Sequence, residues 1–336
     1  MLTIRPIAPA DEAAFVALHG RCTAVAARDL IERSLQAFGA DGITPLRHVF
    51  VLHDSEPGGH GALLGAAALS GSTGLDLPRY SYRSGVVVHA SAELKMFHRA
   101  DTLLLVNDLT GCAELHLPLM ARPDAVLAPQ RLLVDAMLLF VAQEPDRFAP
   151  VLIAELPGLT FEGGGSPFWS ALGRHFHAAE RPRFDAFFDV PERSHIARLM
   201  PKHPLYSSFL GPQAHACIGQ RALPARAAAE ALQAQGFRDR GHLDIFDAGP
   251  IVEADVADLA AVRASLVVPV RIGTPAPTAS WLVAGTGGAR TSASLVPAVL
   301  VNGALLLSEA QARALCVEDG QRLRVLPQGT MVGAPP

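Results

Sequence analysis

The 336-residue sequence lacks a cysteine framework, an excess of basic residues and long uninterrupted apolar runs. Because its four cysteines are far apart and include no CxxC pair, neither a disulfide framework nor a cysteine zinc site is expected. The cysteines are Cys22, Cys112, Cys217 and Cys316. Lys and Arg total 28 against 32 Asp and Glu, a formal net charge of −4, which argues against a partner bound through nucleic-acid phosphates.

Apolar segments are numerous but short. The longest, residues 132–142, contains Asp135 and is well below the roughly 20 residues that a membrane-spanning helix needs. The N-terminal residues 1–7 contain no apolar region typical of a signal peptide. We therefore expect a cytoplasmic protein with no membrane partner. Since half of the residues are hydrophobic, the chain has enough apolar material for large cores, and its length suggests about two domains.

Short alternating or apolar segments separated by turn residues predict an α/β fold. Strands are predicted at residues 2–4, 48–52, 62–69, 86–88, 103–106, 114–120 and 151–156, those at 86–88 and 103–106 being buried. Helices are predicted after Asp11 and at residues 29–38, 131–142 and 167–176. Residues 71–83 are predicted to be a loop, because Gly, Pro and Ser recur there.

The C-terminal part has a different sequence pattern. Residues 265–330 predict a small β-barrel-like unit that closes with a helix at 308–315 and a strand at 322–326, followed by a frayed tail from Pro327. The preceding part contains two similar segments, 170–176 and 231–237, in which a helix ends with glycine and an aromatic residue. Helix, Gly, Phe and strand in succession close an acyl-CoA N-acyltransferase (GNAT) domain, although each copy alone also fits an ordinary helix cap.

Several motifs along the chain occur in the same order as in one enzyme family. They are YSYR at 80–83, VHAS at 88–91, NDLTG at 107–111 with Glu114-Leu115, GSPFW at 165–169, LMPKHPLY at 199–206, IGQ at 218–220 and DIFDAGP at 244–250. Over most of its length the chain resembles the arginine N-succinyltransferase family. Its C-terminal third is most similar to the α subunit of arginine/ornithine succinyltransferase.

The resemblance implies a fold and a reaction. The fold would be α/β, with two GNAT-like halves containing mixed β-sheets at residues 1–190 and 191–262 and a small β-rich subdomain at 263–330. The reaction would transfer succinyl from succinyl-CoA to the α-amino group of arginine or ornithine in arginine catabolism. Succinyl-CoA would be a co-substrate, with no metal and no permanently bound cofactor. The chain would form a homo-oligomer or a hetero-oligomer with a β-type subunit.

Site residues follow only from the matching positions. His203 would be the acid or base, while the amino-acid substrate would be bound by His89, Asp108, Glu114, Lys202 and Tyr206. The strand residues Leu117, Pro118 and Leu119 would present backbone groups to the acyl thioester. A structural alternative stays open for each polar residue, since a histidine beside proline is often a packed residue and a carboxylate a strand-end cap.

The chain departs from the family pattern in three places. Residues 122–129 contain no glycine where the family has a Gly-rich loop for the CoA pyrophosphate. Ala222 occupies the position of the family's proposed proton-donor histidine, and Thr23 is followed by Ala24 where the family has Ser. These departures leave two alternatives. One is a catalytically degenerate paralogue that acts as a binding or regulatory subunit, and the other is a different acyl-CoA or amine substrate.

Overall fold

A computed structural model describes residues 2–54, 62–121, 127–162, 164–177, 185–188, 192–274, 276, 279–285 and 292–330. Among them the chain has a mixed α/β fold, as the sequence predicts. Its first strands are β1 (Leu2–Pro6), β2 (Arg47–Asp54), β3 (Leu63–Ser70), β4 (Ser81–Ser91), β5 (Met96–Val106), β6 (Ala113–Met120) and β7 (Val151–Glu155). The accompanying helices are α1 (Glu12–His19), α2 (Ala24–Gly39) and α3 (Leu127–Gln143).

The remaining elements are shorter. The middle of the chain contains α4 (Pro167–Ala171), α5 (Glu192–Ala197), β8 (Leu205–Tyr206), α6 (Pro212–Cys217), α7 (Arg226–Ala234), β9 (Arg238–Leu243), β10 (Pro250–Asp255) and α8 (Ala260–Ala264). The C-terminal part contains β11 (Leu266–Ile272), β12 (Ala279–Ala284), β13 (Ala293–Val301), β14 (Ala304–Leu307), α9 (Glu309–Leu315) and β15 (Arg322–Thr330). No helix within the described ranges is both long enough and apolar enough to cross a membrane.

All of these strands belong to one continuous sheet. Its order is β12-β15-β11-β14-β13-β1-β2-β3-β6-β7-β10-β9-β4-β5-β8. β6 and β7 run parallel and pair only at their beginnings, where Ala113 faces Leu152 and Glu114 faces Ile153. Beyond Glu114 the two strands diverge, so the sheet opens into a fork.

Helices cover both faces of the sheet beside this fork. On one face, Met137 and Phe140 of α3 share a buried cluster with Leu115 of β6. On the other face, Ile31 of α2 packs in a second cluster with Ala68 of β3. α2 forms because Thr23 caps its first turn, its hydroxyl accepting a hydrogen bond from the N–H of Ala26 at 3.2 Å. The predicted helices at 29–38 and 131–142 are both confirmed.

The C-terminal strands close into a barrel. β12 pairs with both β15 and β13, which completes a ring of five strands, β12-β15-β11-β14-β13. The barrel has its own apolar core, and β13 joins it to the main sheet by pairing with β1. The predicted β-barrel-like unit is confirmed. The prediction of a frayed tail from Pro327 is wrong over residues 327–330, because Pro327 pairs with Trp281 and Thr330 with Ala279. Residues 331–336 lie outside the described ones.

Three other local predictions are wrong. Val86, Val87 and Val88 are exposed, because β4 pairs with β9 only at Tyr82 and Arg83 and then continues with β5 as a two-stranded ribbon. The strand β4 begins at 81, inside the segment predicted as a loop. The helix predicted over 167–176 ends at 171, since the next residue leaves helical geometry and a short 3-10 turn follows.

Of the two predicted GNAT-like helix ends, the second is confirmed. After α7, Gly236 has a φ of +105°, Phe237 is buried and β9 begins at once. In the first copy the side chain of Phe176 is 41% exposed, so it does not pack into a core as the pattern predicts. Residues 178–184, which follow it, lie outside the described ranges.

Candidate active site

The strand β6 has a β-bulge just beyond the point where it leaves β7. His116 pairs with Ala68 and Leu119 pairs with Ala66, so the two residues between His116 and Leu119 face a single residue of β3. Bulges of this kind redirect backbone groups and are common next to active sites. Pro118 has no N–H, and the N–H of Leu119 points to β3, because that of Ala121 donates to Leu64 and ladder bonds recur every second residue. The N–H of Leu117 is left as the donor of the bulge.

A cavity of about 330 Å³ lies at the fork. Because Glu114 and His116 alternate with Leu115, they point to the same face of β6. That face is the one covered by α1 and α2, since Ala68, the partner of His116, packs in their cluster. Polar side chains dominate the part of the lining nearest the fork: Ser70, Ser72, Arg79, Glu114, His116, Glu155 and Arg193.

Two arginines hold three carboxylates together at the cavity wall. Nη2 of Arg79 donates to Glu114 Oε1 at 3.2 Å and also to Glu155. Nη2 of Arg193 donates to Glu155 Oε2 at 3.2 Å and to Asp244. The five side chains come from β6, β7, α5 and two loops. All three carboxylates are buried, so their charges depend on these arginines.

The network gives the carboxylates different proton affinities. Burial alone would raise the pKa of Glu114, but Arg79, followed by His116, Arg47 and Arg193, lowers it to about 2. Glu114 is therefore an anion at neutral pH. For Glu155 burial is the larger effect and raises the pKa of its carboxyl, although Arg193 acts in the opposite direction.

Two serines bring hydroxyl groups to the same cavity. Ser70 Oγ lies 3.0 Å from His116 Nε2, and both side chains are buried. Ser72 Oγ is buried as well and has no hydrogen-bond partner among the described residues. The wall thus presents a hydroxyl and an imidazole next to buried carboxylates, a set of groups suited to binding a polar substrate and moving a proton.

The site residues expected from the sequence lie in several different parts of the structure. Glu114 lines the cavity, Leu117 and Pro118 form the bulge beside it, and Leu119 is the next paired residue of the strand. Asp108 lies elsewhere, with its carboxylate 3.0 Å from Arg83 Nη1 and 3.1 Å from His242 Nε2. Tyr206 Oη lies 3.2 Å from His89 Nε2, on exposed parts of β8 and β4.

The expected acid or base is not at the cavity. Lys202 and His203 are exposed and are absent from the cavity lining. The N–H of Ala222 donates to the carbonyl of Pro157 at 2.8 Å, so this residue lies along the segment that follows β7. The Gly-free segment 122–126 lies outside the described residues. The roles of Lys202, His203, Asp108, His89 and Tyr206 stay predictions.

Most residues of the cavity wall carry no signal in the sequence. Ser70, Arg79, Glu155 and Arg193 have no local motif, because they come together only when distant segments fold. His116 had a signal, since strand alternation puts it on the side of Glu114.

Comparisons with known proteins give this geometry a context. A family model described as "Arginine N-succinyltransferase beta subunit" matches residues 2–261. The chain belongs to the arginine N-succinyltransferase family. Proteins named Arginine N-succinyltransferase from Salmonella paratyphi B and Salmonella newport are each 37% identical to it over 346 residues, covering 97% of this chain and 97% of the relative.

A solved structure of the family has the same fold. It is arginine/ornithine succinyltransferase subunit AI from Pseudomonas aeruginosa, which matches with a TM-score of 0.84 and 30% identity over 98% of this chain and 99% of that one. Membership makes the chain an acyltransferase of this family, and a GNAT-like fold is consistent with it. These names give no support to the alternative of a regulatory subunit. The α-subunit type expected from the sequence stays a prediction.

Proposed function

We propose that this chain transfers the succinyl group of succinyl-CoA to the α-amino group of arginine, or of ornithine, in arginine catabolism. The observation that carries the proposal is the charged cavity at the fork between β6 and β7, next to a bulged strand that pairs with β7 only up to Glu114. Family membership supports the same reaction.

The charges of the cavity complement an amino acid with a cationic side chain. Such a substrate carries a carboxylate at one end and a guanidinium or ammonium at the other. Arg47, Arg79 and Arg193 line the cavity, as do the buried carboxylates of Glu114 and Glu155. Glu114 keeps its negative charge at neutral pH and forms the acidic part of the proposed substrate site.

The bulge is the proposed site of the thioester. Attack by an amine places negative charge on the carbonyl oxygen, and fixed N–H donors stabilise that oxyanion. The N–H of Leu117 is the proposed donor next to the cavity, since the N–H of Leu119 points to Ala66 of β3 and Pro118 has none. Succinyl-CoA would bind as a co-substrate, with no permanently held cofactor.

We further propose the cytoplasm as the location and an assembly with a second copy or a β-type subunit. Exposed apolar side chains on the β4–β5 ribbon, among them Val86, Val88 and Phe97, support an assembly that covers them. The closed C-terminal barrel supports a domain boundary near residue 263. The boundary near residue 190 is proposed from the sequence alone.

The test is thiol release from succinyl-CoA with arginine, with ornithine and with no amine, and with the product identified by mass spectrometry. We expect release that depends on the amino acid and a product that carries one succinyl group on its α-nitrogen. Glu114→Gln is expected to raise the KM for arginine, whereas the exposed control Glu230→Gln is not. Amine-independent release, or no release by the chain alone and together with a β-type subunit, would contradict the proposal.

A further inference from the structure

The attacking amine must lose a proton as its nitrogen bonds to the acyl carbon. We propose that the His116–Ser70 pair accepts this proton, with the Ser70 hydroxyl facing the amine and the His116 imidazole holding the proton. This inference rests on the proposed function, because it assigns a role within the same cavity. It places proton transfer on β6 and β3, away from the exposed His203 and from Ala222.

The pair is built into the sheet beside the expected acyl position. His116 is the last residue before the bulge, so it directly precedes the N–H donor at Leu117. Across the strand pair, His116 faces Ala68, whose small side chain leaves room for the ring. Ser70 Oγ contacts His116 Nε2 at 3.0 Å, and both residues line the cavity while being more than nine-tenths buried.

The acidic groups of the cavity are held by other partners or lie at its exposed edge. Glu114 and Glu155 are bound to arginines, and the low pKa of Glu114 makes it a weak base. Asp185 Oδ2 contacts His19 Nε2 at 3.0 Å, and its other oxygen accepts two backbone N–H groups. Asp76 lies on an exposed loop. Within the described part of the chain, His116 is the one imidazole that lines this cavity.

The proton and electron balance of the step closes without a further reactant. The amine enters neutral, having lost one proton to water, and its nitrogen forms the C–N bond as the carbonyl electron pair moves onto oxygen. The nitrogen then gives a proton to Ser70 Oγ, while Ser70 passes its own proton to His116 Nε2. When the pair on oxygen returns, the C–S bond breaks, and the CoA thiolate takes the proton back from the imidazolium through Ser70.

Several charged groups surround the imidazole. Glu114 lies on its own strand, Arg47 on β2, and Arg79 and Arg193 on the segments that cover the cavity. Asp185 faces the cavity from the segment near α1. The pH profile of the enzyme therefore reports the whole cluster, and the decisive comparison is between variants at each pH.

The test measures arginine-dependent thiol release by the wild type, His116→Gln, Ser70→Ala and the control His215→Gln across pH 6–10. His215 is a matched control because its Nδ1 contacts Ser207 Oγ at 3.1 Å, a second His–Ser pair that does not line the cavity. We expect His116→Gln to lower kcat by about 10²–10⁴-fold near neutral pH. The KM for succinyl-CoA should not change, and the deficit should shrink at high pH, where water and hydroxide take the proton.

A second variant distinguishes a loss of proton transfer from a folding defect. In His116→Ala, added imidazole should restore release in proportion to the concentration of its neutral form. A wild type without arginine-dependent release would refute the proposed function itself. An active wild type with His116→Gln within threefold of it, or an equal deficit at every pH without imidazole rescue, would overturn the assignment of His116 alone.

Discussion

Replacing Arg193 by methionine tests whether the charged wall of the cavity depends on its arginines. Arg193 bonds to Glu155 at 3.2 Å and to Asp244, and its guanidinium lies 4.9 Å from the ring centre of Phe246. Methionine keeps an apolar contact with Phe246 but removes the charge. Two buried carboxylates then lose a partner, which costs about 3–5 kcal/mol in free energy of unfolding when a buried pair is broken on one side.

The cost should depend on pH in a predictable direction. Burial already raises the pKa of Glu155, and loss of Arg193 raises it further, so the folded variant binds a proton more readily than the unfolded chain does. Stability of the variant should therefore fall as pH rises through that pKa. The lower end of the range applies at acidic pH and the upper end at alkaline pH.

Thermal unfolding followed by circular dichroism at pH 5.5 and pH 8 provides the measurement. We expect Arg193→Met to lower Tm by about 5–10 °C at pH 8 and by less at pH 5.5. Adding Glu155→Gln should recover part of the loss, because the neutral amide needs no counter-charge. The control Arg226→Met breaks an exposed pair with Glu230 and should leave Tm unchanged. A drop in Tm that is equal at both pH values and in the double variant would show that the loss does not come from an uncompensated Glu155 carboxylate.

Two further predictions concern the core around the cavity. Burial lowers the pKa of His48 to about 4, so its neutral form contributes up to about 3 kcal/mol that is present above pH 6.5 and lost as pH falls toward 4. His48→Leu should therefore flatten the fall of Tm between pH 6.5 and pH 4.5, and an unchanged slope would contradict this. A Cβ on Gly71 would clash with the carbonyl oxygen of Arg147, so Gly71→Ala should cost about 1–3 kcal/mol and reduce activity through Ser70 and Ser72. Gly39→Ala, which has open space, should be neutral, and equal unfolding midpoints of the two variants would refute the steric argument.

Local sequence pattern was enough to predict several elements around the fork. Alternating leucines indicated β6, an apolar segment interrupted by Asp135 indicated α3, and Gly236 with Phe237 marked the end of α7. The same criterion was misleading for residues 86–88, because an apolar run does not show whether a neighbour covers it. Those residues lie in the two-stranded ribbon of β4 and β5, where they are exposed. The sequence contains no signal that distinguishes this exposed ribbon from a buried strand.

The residues of the cavity wall could not be predicted from local sequence pattern, for a different reason. Arg79, Glu155, Arg193 and Asp244 are separated by tens of residues, and only the tertiary fold brings them together. Glu114 was expected from its motif, whereas His203, chosen by the same motif argument, lies exposed and away from the cavity. Motifs indicated the family, but the placement of each side chain depended on the tertiary fold.

A crystal structure of the chain with CoA and arginine would locate both substrates. We expect the CoA sulfur between β6 and β7, next to the backbone of Leu117 and Leu119. We also expect the α-amino nitrogen of arginine within about 3 Å of Ser70 Oγ, with the guanidinium near Glu114. CoA bound away from the fork, or arginine bound at Asp108 and His242 with the cavity empty, would contradict this placement.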